Sequence, residues 1–193
     1  MKKAELLEKV KIMKNKKFVL LFLFAAVLIL TACGNVQDGP MSGKYAYIHD
    51  TEKAALVFRG DKVMLDGTKY SYTVDGQLLL LTRSGQTTPM RYTETKDGMY
   101  IYKSTVYTLT SGAGGKGIVG KWDNAENRWS FEFNDKNEFL EDGIFAGYYT
   151  VDEDAGSFKL MYNDPVEDTV CYYTVNGNEL TVEYPWPMVK MAK

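Results

Sequence analysis

From Lys44 onward the chain repeats one short pattern. In Tyr70-Ser71-Tyr72-Thr73-Val74 large apolar side chains take every second position, with small hydroxyl residues between them. Successive side chains of a strand point to opposite faces, so this stretch predicts a strand buried on one side, with Tyr70, Tyr72 and Val74 inward. Phe131 with Phe133, Leu180 with Val182, and Cys171 with Tyr173 and Val175 alternate in the same way. Strand-like runs follow one another: KYAYI, AALVF, KVML, KYSYTV, LLLLT, PMRYTET, MYIYK and TVYTLT, then IVGKW, RWSFEF, NEFLE, FAGYYTV, SFKLMY, TVCYYTV and ELTVEY. Asp-Gly at 66–67, 75–76 and 97–98, and Asn176-Gly177-Asn178, supply the positive-φ residues of tight hairpins. No helix-period stretch of useful length interrupts them, so the expected fold class is all-β and antiparallel.

At Ser111 to Gly117 the rhythm stops, because SGAGGKG offers no side chain to bury. It predicts a linker over 111–117 between a first β unit, 44–110, and a second, 118–190. The halves echo one another: Gly43-Lys44-Tyr45 matches Gly120-Lys121-Trp122, and the hairpin from Tyr72 to Leu79 matches that from Tyr173 to Leu180. The match implies duplication, with an insertion of about 25 residues before the second hairpin; shared hairpin chemistry is the alternative.

Upstream lies a different pattern. Thirteen apolar residues, Phe18 to Leu30, follow Lys14, Lys16 and Lys17 and end at Thr31-Ala32-Cys33-Gly34. As a helix they span about 20 Å, short of the roughly 30 Å bilayer core, and the basic start, apolar middle and small-residue end are those of a secretory signal. Leu30-Thr31-Ala32-Cys33 resembles the lipobox of bacterial lipoprotein precursors. The resemblance implies a signal peptide over 1–32 with its signal helix, a diacylglycerol-modified Cys33 as the first mature residue, and a protein anchored on the extracytoplasmic face of a bacterial cell membrane. Residues 33–43 then form a short polar tether. The basic region runs on through MKKAELLEKVKI, and Met13 offers a second, more compact start.

Charge narrows the partners. The leader holds seven of the 23 basic and two of the 25 acidic residues, leaving the mature chain 16 against 23, so attraction by net charge to nucleic acid or to anionic lipid is not expected. With Cys33 committed to lipid, Cys171 has no cysteine partner in the chain, and neither a disulfide nor a cysteine metal site can form. In the second half, G-K-W, an aromatic-x-aromatic strand, G-x-Y-T-V and Y-T-V-N-G-x-x-L-T-V resemble the small lipocalin-like β-meander repeats of bacterial surface lipoproteins. That resemblance implies two barrel or sandwich units and no assigned activity.

Candidate chemistry is sparse. Gly115 to Trp122 fits G-x-x-x-x-G-K but carries Trp where a phosphate loop needs Ser or Thr, and a strand should follow it instead of a helix. His49, the one histidine, stands beside Asp50 with no nucleophile elbow, and reads as a loop residue. The clusters Asp152-Glu153-Asp154 and Asp164, Glu167 and Asp168 lack the remaining ligands of a calcium loop and read as solvated hairpin tips. Neither a metal nor a cofactor is expected. MYIYK, GYYTV and CYYTV are apolar on both faces, so Tyr100, Tyr102, Tyr148 and Tyr172 either sit in a sandwich or face outward, where a ring with a polar tip suits sugar or peptide contact. Trp186, in the tail YPWPM, is either a plug on a barrel end or exposed. The reading is a non-enzymatic envelope binding or scaffolding module that meets a protein, peptide or saccharide. The alternatives are a lipocalin-like carrier of a small apolar ligand and an envelope hydrolase, and the carrier needs an unfilled interior.

Overall fold

The computed structural model describes residues 41–112, 117–163 and 166–192. The signal peptide, Cys33, the tether as far as residue 40, the centre of the Gly-rich segment and Asp164 lie outside the described residues.

Among the described residues there are fourteen strands. The first half holds β1 (Gly43–Tyr47), β2 (Leu56–Arg59), β3 (Lys62–Leu65), β4 (Thr68–Asp75), β5 (Leu78–Arg83), β6 (Gln86–Glu94) and β7 (Gly98–Ser111). The second holds β8 (Gly120–Asn124), β9 (Trp129–Phe133), β10 (Glu138–Glu141), β11 (Phe145–Asp152), β12 (Ser157–Tyr162), β13 (Thr169–Asn176) and β14 (Glu179–Lys190). Each strand pairs antiparallel with its chain neighbours, and β14 returns to β1 to close a ring. Each predicted strand run falls in one of these strands, but MYIYK and TVYTLT form the single strand β7, and YPWPM continues β14.

β14 also pairs with β7 along eleven positions, from Glu179↔Thr108 to Val189↔Gly98. That ladder pinches the ring into a figure of eight. One circuit runs through β1 to β6, the start of β7 and the end of β14; the other runs through β8 to β13, the end of β7 and the start of β14. Strands 98–111 and 179–190 therefore serve both circuits, and the division at 111–117 falls in the connection from β7 to β8. Every strand of both circuits lies between Gly43 and Lys190.

The halves correspond strand by strand, β1 with β8 through β7 with β14. Two details carry this. The β7–β8 ladder is mirrored by β14–β1, and the left-handed turn residues Asp66 and Asp142, at φ 48° and 52°, recur between the third and fourth strands of each half. The echo read from the sequence needs correction, because Tyr72 to Leu79 belongs to β4–β5 while Tyr173 to Leu180 belongs to β13–β14. The structural counterpart of Tyr72-Thr73-Val74-Asp75 is Tyr149-Thr150-Val151-Asp152, and the halves align without an insertion of about 25 residues, the β12–β13 connection being a few residues longer than β5–β6. Tyr72 and Tyr149 are both buried, and each donates its hydroxyl to a backbone carbonyl, Met41 O at 3.1 Å and Asn134 O at 2.8 Å.

Two apolar cores fill the circuits, one around Leu56, Phe58, Tyr72, Leu79 and Ile101, the other around Trp122, Phe131, Phe133, Phe158 and Leu160. The aromatic rings meet edge-on, as at Phe58–Tyr72 (5.1 Å) and Phe133–Tyr149 (5.0 Å). Cys171 sits wholly inside the second core. Met41 is buried in the first and Gly43 starts β1, so the folded body begins inside the expected tether, which ran to residue 43.

Candidate functional site

Between the circuits the chain thins to two strands. β6 follows β7 only to Ile101 and β8 meets it from Thr108, while β14 has β7 alone beside it from Tyr184 to Trp186, and at Pro187 its other edge is met only by Ile48 N–H, which donates to the Pro187 carbonyl at 3.2 Å. Both prolines of YPWPM fall where β14 has no second strand beside it, and there a missing N–H costs a strand least. Odd positions of β7 and even positions of β14 point to the interior side, so Lys103 and Tyr184, paired across the ladder, meet at the point where the halves exchange.

On the side of the first circuit the ring of Tyr47 lies 5.5 Å from His49, stacked at 9°, and 5.8 Å from Trp186. Lys103 Nζ stands 4.6 Å from the Tyr47 ring centre and 4.9 Å from that of Trp186, close enough for cation–π attraction. The Tyr47 hydroxyl donates to Asp66 Oδ2 at 2.9 Å, and Lys103 Nζ reaches the same oxygen at 3.0 Å. Burial works against the Lys103 charge, but the Tyr47 hydroxyl and the Asp66 carboxylate raise its pKa on balance. Burial chiefly, and Asp66 after it, raise that of Tyr47.

On the other side, Tyr162 donates its hydroxyl to Glu141 Oε2 at 2.5 Å and lies 3.1 Å from the Tyr184 hydroxyl. Burial raises the pKa of Glu141, with Asp142 adding to it against the Tyr162 hydrogen bond. The same burial, with Glu141 beside it, pushes Tyr184 up to about 12. Thr105, Trp129, Glu141, Asp142, Tyr184 and Trp186 line a cleft of about 160 Å³ here, room for on the order of five waters. With Tyr107, which also lines the cleft, two indole rings, two phenols, a carboxyl held toward its neutral form and a second acidic side chain thus face one small space.

Trp186 is the one sequence-derived candidate that this cleft includes, neither a plug on a barrel end nor free of the fold. Tyr102 and Tyr172 point to the opposite side of the ribbon, with their rings 5.3 Å apart. Arg91 lies 3.8 Å over the Tyr172 ring and pairs with Glu183 at 3.0 Å, tying β6 of one circuit to β13 and β14 of the other. Tyr100 and Tyr148 are exposed, at 36% and 55%, and Tyr148 lines a separate depression of about 300 Å³ with Glu132 and Glu138. Sequence reasoning missed Tyr47, Asp66, Lys103, Trp129 and Glu141. The inward parity of Lys103 would have pointed to the site had MYIYK and TVYTLT been joined into one strand.

A wider depression of about 710 Å³ lies on the outer face of β1 to β5. No family model, no curated protein and no solved structure matches the chain.

Proposed function

We propose that the chain is a lipid-anchored protein of the extracytoplasmic membrane face, built from two lipocalin-like barrels that share strands β7 and β14. It acts as a non-enzymatic binding module whose ligand, a saccharide, enters the cleft at Trp186. The observation that carries this reading is the convergence of Trp129, Trp186, Tyr184 and Tyr47 with Lys103, Asp66 and Glu141 at the exchange point of two filled barrels. Aromatic faces take the C–H side of a sugar ring, and the charged groups take its hydroxyls. The side chains filling both interiors favour this surface site over an enclosed apolar cargo.

Titration of tryptophan fluorescence with cell-wall monosaccharides and oligosaccharides tests the site. Binding in the wild type that falls at least tenfold in Trp186→Ala and survives in Tyr148→Ala supports it; a loss equal in both, or no saccharide response, removes it. Mass spectrometry of the membrane fraction tests the anchor: an unmodified Cys33 removes it.

A further inference from the structure

The depression on the outer face of β1 to β5 has a ladder-defined floor. One row across the strands reads Lys44, Val57, Met64, Lys69; the next reads Arg59, Lys62, Ser71, Thr82. Arg83 also lines it. Five of the sixteen basic residues of the mature chain thus gather on one patch with an apolar centre, and among the described residues no carboxylate lines it. Arg59 stands directly across from Lys62, a like-charge pair that weakens a sheet. Asp61 pairs with Lys62 at 2.9 Å; among the described residues Lys44, Arg59, Lys69 and Arg83 make no ion pair.

The second barrel provides an internal comparison. The corresponding rows there are Lys121, Glu132, Leu140, Ala146 and Asn134, Glu138, Tyr148, and all of these but Lys121 line the depression of about 300 Å³. The same place in the same fold therefore carries carboxylates in one half and cations in the other. The asymmetry extends to the whole halves. Residues 44–97 hold eight basic and seven acidic side chains, whereas residues 118–179 hold four and fourteen.

We infer that the cationic groove of the first barrel docks on the phosphate headgroups of an anionic membrane surface. This rests on the lipid anchor at Cys33, and two observations select that occupant. The chain enters the fold at Met41, three residues before the groove residue Lys44. Eight residues from Cys33 to Met41 reach at most about 28 Å, so the anchor holds the groove near the headgroups. Charge selects the orientation, since the first barrel is drawn to an anionic surface and the second, net negative by ten, is repelled.

The test uses residues 34–193, which contain every strand and carry no lipid, so its outcome is independent of whether Cys33 is modified. Sedimentation with vesicles of equal parts phosphatidylglycerol and phosphatidylcholine is compared with phosphatidylcholine alone. Arg59→Asn, Lys62→Glu and Lys69→Ala together install the residues that the second barrel already carries at these positions, which guards against unfolding. Each basic residue at the surface is worth about fivefold in affinity, so the triple variant should bind anionic vesicles about a hundredfold more weakly. Lys121→Glu with Lys136→Glu changes net charge by the same amount and should stay within about threefold of wild type. The inference is overturned if neutral vesicles bind equally well, if the two variants lose affinity alike, or if inorganic phosphate at matched concentration blocks the groove as effectively as the vesicles do.

Discussion

Glu141 is a carboxyl that the fold holds toward its neutral form. Burial raises its pKa above the unfolded value, so the protein gains stability from the protonated acid below the ordinary carboxylate range and loses it as pH rises through the raised value. Melting temperatures should therefore fall over that interval in the wild type and fall less in Glu141→Gln, which cannot ionise and keeps an acceptor for Tyr162. Parallel curves for the two proteins would show that Glu141 ionises as freely in the folded state as in the unfolded one. Cys171 stands under the same influence, with burial holding its thiol well above the usual range, which leaves it a small apolar filler of the second core. Its inward face was expected from aligning its hairpin with that of Tyr70 to Val74; the face is as expected, but the alignment is not the structural one, and alternation alone leaves CYYTV apolar on both sides. Lys103 was not legible, because a lysine after two tyrosines reads as a strand end until the ladder to β14 places it beside Tyr47 and Asp66.

Strands were legible wherever a turn residue stood between them, and the misreadings fall where that rule fails. Nothing between Tyr102 and Thr105 forbids a turn, so β7 was divided in two; two prolines argued against extending β14, which tolerates them because one of its edges carries no strand there. Pairing of β14 with β1 and β7 joins positions far apart in the chain, and local pattern holds no record of it. Two glycines mark close approaches of paired backbones, Gly98 between β7 and β14 and Gly147 between β11 and β12. A Cβ at Gly98 would come 1.9 Å from the Met188 carbonyl oxygen, and one at Gly147 2.1 Å from that of Met161. Backbone cannot yield as a flexible side chain does, so Gly98→Ala and Gly147→Ala should each cost about 2 kcal/mol or more, several degrees in melting temperature. Gly85→Ala, with nothing within 4 Å but φ at 78°, is the comparison for conformational strain alone. A cost at Gly98 no greater than at Gly85 would mean that the β7–β14 contact is looser than described.

At the scale of the molecule, the shared ribbon decides whether the halves are independent. Eleven paired positions and the Arg91–Glu183 contact join them, so protease cleavage within 112–117 should leave both fragments associated and eluting together. Heat should unfold the intact chain in one transition. Fragments that separate and keep their own strand signal would restore two autonomous units. The fold is thus held by a strand made after the thirteen others. Until β14 emerges, β1 has no second neighbour and neither barrel can shut, however early its other strands have formed. A chain cut short before Glu179 would therefore hold two unclosed sheets with no means of completing either.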